Sequence, residues 1–517
     1  NSLLNDPHIE YAEPIYIDQS LAAPNDPNYG TSLYFSALQA EDAWDIHKGE
    51  LGSQPVILAV VDTGVRWTHP DLAENIWQNL GEDANGNGYT MFHNGSAWVL
   101  DVGDLNGIDD DGNGKIDDLI GWDFMLDAFG NQGHDPYESG GHGTSVSGIA
   151  NSRTNNSIGV ASLAWNVVLM PLSCSHPGAP STVYRGYDAI IYAAENGADI
   201  INCSWGGTSF SQANQDAIDY AYALGSVIIA AAGNSNNSTP IYPAGYQNVV
   251  AVGSVLNDGS KTSVSNFGSY LSVSAPTQSV GTTSGSGYSI VNNATSYASP
   301  IASSLAALIK SYHPTWTNDQ VVQQLVATCD NIDAMNPGKE KALGQGKLNA
   351  YRALSEINPI PNQELKLAMH QVRTPNDENN NRAIEPGETV SLNLTLRNFA
   401  YGAASNNVSY LLSCSDPLVT IHQNSHSGSI AADSYVYLDD AFSFYVAPTA
   451  TSKYVNFTLH ISADLPIAFG SSISFQMLIN AGGIFVWEGR ASGRDMSGAY
   501  IRNRLQAMSY HTTYGTS

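Results

Sequence analysis

Between Val56 and Ser355 the chain alternates short apolar runs with helical stretches, and no other feature restricts its fold as strongly. The runs VILAVVD, VVLMPLS, ADIINCSW and SVIIAAAG begin at Val56, Val167, Ala198 and Ser226 and are rich in Val and Ile. Some have no polar position to turn outward, which marks strands covered on both faces. Between them lie TVYRGYDAIIYAAENG and SQANQDAIDYAYALG, the second closing on Gly225 as a helix end does. This alternation predicts an α/β domain built on a doubly wound, mostly parallel sheet. Sites in such sheets form at the carboxyl ends of strands. Asp62 and Ser204 stand at the ends of two runs, and Asn234 follows a third. ATSYASPIASSLAALIKSYH, from Ala294, predicts a long buried helix with Ser296 in its first turn and Pro300 close enough to the start to be tolerated. A hydroxyl there feels the positive helix end.

Past Ala353-Leu354 a Pro-rich hinge, Asn358-Pro359-Ile360-Pro361, precedes a change of pattern. ETVSLNLTLRN, KYVNFTLHIS and SSISFQMLIN alternate with period two, which predicts a C-terminal all-β sandwich over 357–517. The α/β domain then covers 24–356, and residues 1–23 form a separate extension.

Three segments carry the residue types of nucleophilic catalysis, in the order Asp, His, Ser. They are VILAVVDTGVRWTHPDL with Asp62, SGGHGTSVSGIA with His142 and NATSYASPIASSLAALI with Ser296. A serine hydroxyl is a weak nucleophile until an imidazole takes its proton, and that imidazole needs a carboxylate to fix its tautomer. With Ala230-Ala231-Ala232-Gly233-Asn234 and Ile201-Asn202-Cys203-Ser204-Trp205-Gly206, these segments make the chain resemble the subtilisin-like serine proteases over residues 24 to 356.

The resemblance implies a serine endopeptidase acting on protein or peptide substrates. Ser296 would be the nucleophile, His142 the base, Asp62 its partner and Asn234 an oxyanion-hole donor. Ser204, Trp205 and Gly206 would form the strand that pairs with bound peptide, and Ala231, Ala232 and Gly233 a wall of the specificity pocket. Small wall residues suggest room for a large apolar side chain. HIEYAEPIYID, from His8, is similar to the last strand of the family's inhibitory propeptide; a strand packed on the catalytic domain is the other reading. Two departures stand out. Ala294 replaces the family's Gly before Thr-Ser, with the expectation of strain at the nucleophile turn. Tyr297 replaces the Met that commonly follows the nucleophile. The competing function is a catalytically inactive protease scaffold that acts as a binding protein.

Acidic residues number 48 against 20 basic, a net charge of −28, which argues against a nucleic-acid partner or an anionic membrane surface. No apolar run reaches the ~18 residues of a membrane helix. The opening at Asn1, without a basic and apolar leader, gives the expectation of a processed, secreted form. Four cysteines are too few for a disulfide framework; Cys174 and Cys203 are expected as buried free thiols, with a bridge between them as the alternative.

Three loops have calcium-loop spacing, the first with the front of an EF-hand loop and the second with Arg382 in place of the Gly at position 6, and the cofactor expected is structural Ca2+, with a solvated acidic loop or polar hairpin as the alternatives. In the first, Asp109, Asp111 and Asn113 occupy positions 1, 3 and 5, Gly114 position 6, Lys115 position 7 and Asp117 position 9, with Asp117 or Asp118 closing the shell because Ile120 stands where the bidentate Glu belongs. The second runs through Asp377, Asn379, Asn381, Ala383 by its carbonyl, and Glu388 at position 12. The third is Asp83-x-Asn85-x-Asn87-Gly88. In the last domain Tyr435, Tyr437 and Trp487 are candidates for a platform touching polymer or matrix, with core packing as the alternative.

Overall fold

The computed structural model describes residues 23–49, 55–125, 132–138, 140–176, 178–283, 285–356, 365–373, 384–398, 405–430, 434–463 and 469–479. The N-terminal extension to residue 22 therefore lies outside the described residues, as do Asp377, Asn379, Asn381 and Ala383 of the second candidate calcium loop.

The apolar runs become the strands of one sheet. In chain order the strands are β1 (Ile57–Asp62), the hairpin β2 (Met91–His93) and β3 (Trp98–Leu100), β4 (Trp122–Asp123), β5 (Val168–Ser173), β6 (Ile200–Cys203), β7 (Val227–Ala231), β8 (Val249–Val255), β9 (Val273–Pro276), the hairpin β10 (Ser279–Thr282) and β11 (Tyr288–Val291), and β12 (Ala342–Gln345). The helices are α1 (Tyr34–Ala37), α2 (Ala40–Trp44), α3 (His142–Asn151), α4 (Gly186–Glu195), α5 (Gln212–Ala223), α6 (Thr295–Tyr312), α7 (Asn318–Ala327) and α8 (Ala350–Ser355). Seven strands pair in the order β4-β5-β1-β6-β7-β8-β9, all parallel.

The reason is visible in β1. Leu58 and Val60 enter one core with α3, α6 and α7, while Ala59 and Val61 enter another with α4 and α5. Both faces are dry, so a sequence apolar at every position is the stable one. From β1 the chain leads to β4 and β5 on one side and then to β6 on the other. The strand order reverses at β1, and the crevice at its carboxyl end is where a doubly wound sheet places its site. Gly225 has φ +104 just past α5, the left-handed position that ends a helix cheaply only with glycine.

The C-terminal strands are β13 (Leu365–Arg373), β14 (Thr389–Asn398), β15 (Ser405–Cys414), β16 (Val419–Gln423), β17 (Ser425–Ile430), β18 (Ser434–Val446), β19 (Lys453–Ala463) and β20 (Phe469–Ile479). They form two four-stranded antiparallel sheets, β13-β14-β18-β16 and β17-β15-β19-β20. Alternate residues of both, among them Leu392, Phe444, Leu412 and Phe457, meet in one apolar core. Tyr437 is 67% exposed; the side chains of Tyr435 and Trp487 lie outside the described residues. Cys174 and Cys203 are buried free thiols, so the bridge is not formed.

Candidate active site

Asp62 closes β1 and is fully buried. Its Oδ1 accepts the Thr63 N–H at 2.8 Å and meets His142 Nδ1 at 2.7 Å. A carboxylate only accepts, so Nδ1 carries the proton and Nε2 is the basic nitrogen of the neutral ring. Asp62 Oδ2 is buried without a hydrogen-bond partner. The Asp62 charge pushes His142 well above the ordinary imidazole range; burial opposes this, and the Asp62 hydrogen bond and the charge of Glu138 add to it. His142 opens α3, and its side chain is 35% exposed, so the ring keeps an edge toward the crevice.

Glu138 was not legible as a site residue. Its buried carboxylate accepts from Gly143 N–H at 2.9 Å, Thr144 N–H at 2.9 Å, Thr63 Oγ1 at 2.7 Å and Thr144 Oγ1. It caps the first turn of the helix that carries His142 and ties that turn to the residue after Asp62. Two backbone N–H groups, one on each oxygen, are fixed donors that favour the carboxylate form, while burial pushes the Glu138 carboxyl above its ordinary range.

Ser296 is the second residue of α6. Ala294, before the helix, has φ −105 and ψ 141, ordinary extended backbone open to any residue. The strain expected from replacing glycine there is absent. Pro300 sits inside α6, beyond its first turn. Having no N–H, it leaves the Ser296 carbonyl without its helical donor. Ser204 repairs this: its hydroxyl donates to the Ser296 carbonyl at 2.9 Å, and Ser296 Oγ donates to the Ser204 carbonyl at 3.2 Å. Asn202 Nδ2 donates to Ser204 Oγ, while Asn202 Oδ1 accepts from Ser299 and Ser303. A buried polar ladder thus locks the end of β6 to the Ser296 turn. In this state the Ser296 hydroxyl faces Ser204 rather than His142.

Thr295 N–H and Thr295 Oγ1 both approach Asn234 Oδ1, at 2.8 and 3.0 Å. The backbone donor settles which end of the amide faces the helix, so the Asn234 NH2 turns away, on an exposed residue. Ala231, Ala232 and Gly233 are buried. The Ala232 carbonyl is held by Asn266 Nδ2 at 3.0 Å and Tyr270 OH at 2.8 Å. Gly233 has φ +104, and a Cβ there would come within 2.5 Å of Asn266 Nδ2, so only glycine fits. The Trp205 indole donates to the Val61 carbonyl at 2.8 Å and packs edge-on against Tyr187 at 5.3 Å. Its side chain is engaged inward, which leaves backbone for pairing with peptide at 204–206. Gly206 is exposed.

In the first candidate calcium loop, Glu82, Asp111 and Asp118 each bring a carboxylate oxygen within 4.8 Å of the others. Glu82 comes from outside the loop. It accepts the N–H groups of Asp110, Asp111 and Asp117. Asp118 joins the cluster, whereas Asp117 turns its carboxylate to the N–H groups of Asn106 and Gly107. Burial first, then the charges of Asp118 and Asp111, pushes Glu82 up to about 7. Burial likewise pushes Asp118 up to about 6. Asp109 Oδ1 is buried without a partner. An oxygen-only donor set with a surplus of buried negative charge fits a hard divalent cation. Asn113 Oδ1 accepts the Lys115 N–H at 2.8 Å. Of the second loop only Glu388 is described; its Oε2 accepts the Glu385 N–H at 3.0 Å.

Known proteins share this sheet and these segments. The subtilase family profile matches residues 53–350. A thermophilic serine proteinase of Bacillus sp. (strain AK1) is 34% identical over 356 residues, 68% of this chain and 75% of that one. Thermitase of Thermoactinomyces vulgaris is 32% identical over 332 residues, 64% of this chain and 99% of that one. The solved structure of a protease from Pseudoalteromonas arctica PAMC 21717 superposes with a TM-score of 0.51 at 26% identity, covering 65% of this chain and 99% of that one. The chain belongs to the subtilase family. It is a serine endopeptidase, and its substrates are proteins or peptides. Among the described residues no helix is long and apolar enough to cross a membrane.

Proposed function

We propose that Asp62, His142 and Ser296 are the catalytic triad of this peptidase, and that Asn234 with the Ser296 N–H forms its oxyanion hole. The observation that carries the reading is the 2.7 Å bond between His142 Nδ1 and Asp62, which leaves Nε2 basic on a helix packed against the one bearing Ser296. In the first step Ser296 Oγ leaves the Ser204 carbonyl, gives its proton to His142 Nε2 and attacks the substrate carbonyl. The oxyanion receives the Asn234 NH2 and a first-turn N–H of α6, which has no helical partner of its own. His142 then protonates the leaving amine, and water resolves the acyl-enzyme by the same route. The backbone of 204–206 pairs with the substrate, and Ala231–Gly233 line the pocket for its side chain.

The test is casein hydrolysis with and without a serine-directed phosphonate. Turnover blocked by a label on Ser296 supports the triad; neither turnover nor labelling would favour the inactive binding scaffold. Asn234→Ala is expected to lower kcat by about 10²–10³ with little change in KM, a loss seen for this donor in subtilisin itself. A change confined to KM would remove Asn234 from the oxyanion hole.

Structural Ca2+ belongs to the same proposal. Asp109, Asp111, Asn113, the Lys115 carbonyl, Asp118 and Glu82 would hold it, neutralising carboxylates that burial leaves costly. Saturating calcium near a hundred times its Kd stabilises by about 2.7 kcal/mol, so stripping it should lower Tm by roughly 3–5 °C. Glu82→Gln is expected to reproduce part of that loss and to blunt the response to EDTA. An unchanged response in this variant would count against the site. Secretion is proposed alongside, since calcium at these levels is an extracellular resource.

A further inference from the structure

Gly206 closes the segment assigned to pair with peptide, and Gly233 closes the opposite wall of the pocket. Gly233 adjoins Asn234, the proposed oxyanion donor, so the side chain that enters is that of the residue whose carbonyl Ser296 attacks. Neither glycine has a side chain, and the walls alone leave a wide gap. One group stands in it. A Cβ built on Gly206 would come within 2.7 Å of Ile241 Cδ1, and one built on Gly233 within 2.9 Å of the same methyl. Both glycines therefore aim their missing side chains at a single carbon. The small walls leave width for a large apolar side chain, and Ile241 takes away the depth.

The chain around Ile241 is tied down on both sides. Tyr242 pairs antiparallel with Gly207: its N–H donates to the Gly207 carbonyl at 2.7 Å, and its carbonyl accepts the Gly207 N–H at 2.9 Å. The Ile241 carbonyl accepts the Gly245 N–H at 2.6 Å. The Tyr242 ring packs against Tyr246 at 4.6 Å and Phe210 at 5.5 Å. Ile241 itself is half-buried against the core that α4 and α5 enter. With the backbone fixed, β-branching leaves the side chain little rotamer freedom. The methyl holds its place, and a substrate atom cannot share its volume.

We propose that Ile241 determines specificity: in the pocket assigned above, on which this role rests, its Cδ1 closes the inner end. The enzyme then cleaves peptides that offer the pocket a small side chain such as alanine in preference to phenylalanine or tyrosine. Depth selects the substrate, not the width that the alanine and glycine walls provide.

The experiment compares kcat/KM on two blocked peptide p-nitroanilides, Ala-Ala-Pro-Ala and Ala-Ala-Pro-Phe, for the full-length wild type, Ile241→Val and Ile241→Gly. Wild type should favour the Ala peptide by about tenfold or more. Ile241→Val keeps the β-branch and deletes only Cδ1; it should raise the Phe-to-Ala ratio by about tenfold. Ile241→Gly removes the whole side chain and should raise it by about 10². The ratio is taken within one preparation, so any fraction that fails to fold cancels. A wild type that prefers the Phe peptide, or a ratio that neither variant moves, overturns the role of Ile241. A serine-directed phosphonate tells this failure from failure of the site. Wild type that cleaves neither peptide and takes no label overturns the triad and the role of Ile241 together; labelled, active enzyme with unmoved ratios overturns the role of Ile241 alone.

Discussion

Ser296→Ala is expected to lower kcat on casein or a peptide substrate by about 10⁶ while KM changes little, the size of loss found when the nucleophile of subtilisin itself is removed. On the proposed assignment, the substitution deletes the atom that forms the acyl-enzyme. It touches nothing else in the site. The Ser296 carbonyl still accepts from Ser204 Oγ, and the Asn234 amide is still oriented by Thr295. The one bond lost is the 3.2 Å contact to the Ser204 carbonyl, at a helical position where alanine is favoured. Tm should therefore stay within about 2 °C, allowing under 1 kcal/mol for the exchange. Phosphonate labelling should vanish. A residual rate of about 10³–10⁴ over the uncatalysed reaction should remain from the oxyanion hole and binding. Loss of less than a hundredfold would mean that another group attacks, and the triad assignment would fall.

What could be read from the residues alone follows from distance along the chain. Short runs apolar on both faces, alternating with helical stretches, declare a parallel sheet covered by helices. Ser296 at the head of an apolar helix and Asp62 at the end of β1 are local facts of the same kind. The supports are long-range and were not legible. Glu138 lies before His142 in a stretch with no helical or strand pattern, and only the folded chain shows it capping α3 while gripping Thr63. Glu82 is remote in sequence from the Asp111 and Asp118 carboxylates that it meets. Pro300 reads as tolerable near a helix start; in fact it lies deeper, and its missing N–H makes Ser204 necessary. Ala294 reads as a liability because glycine is the family's residue, yet its dihedrals are those of any extended residue. Side-chain chemistry is carried by the sequence, whereas the pairing of orphaned donors and acceptors exists only in the fold.

Asp62→Asn separates charge from geometry in this site. Thr63 N–H and His142 Nδ1 converge on the same oxygen, Oδ1, while Oδ2 has no partner. An asparagine can place its carbonyl oxygen at Oδ1 and its NH2 in the Oδ2 position without turning either donor away. The ring then keeps its orientation and its tautomer, and only the charge is lost. Two unit charges about 4 Å apart interact by about 4 kcal/mol at an effective dielectric of about 20, so kcat should fall by about 10³. The pH profile gives the independent reading. Asp62 raises His142, and His142 works as a base only when neutral. In wild type, activity is therefore lost as pH falls through the raised value and is full on the alkaline side. Without Asp62, burial lowers the imidazole more than the charge of Glu138 raises it, so the acid limb of kcat/KM should move to lower pH. Should the amide instead present its NH2 to Nδ1, the tautomer would invert and the loss would grow toward about 10⁴. An acid limb that stays in place while activity falls would show that Asp62 does not set the basicity of His142, and the electrostatic part of the mechanism would have to be abandoned.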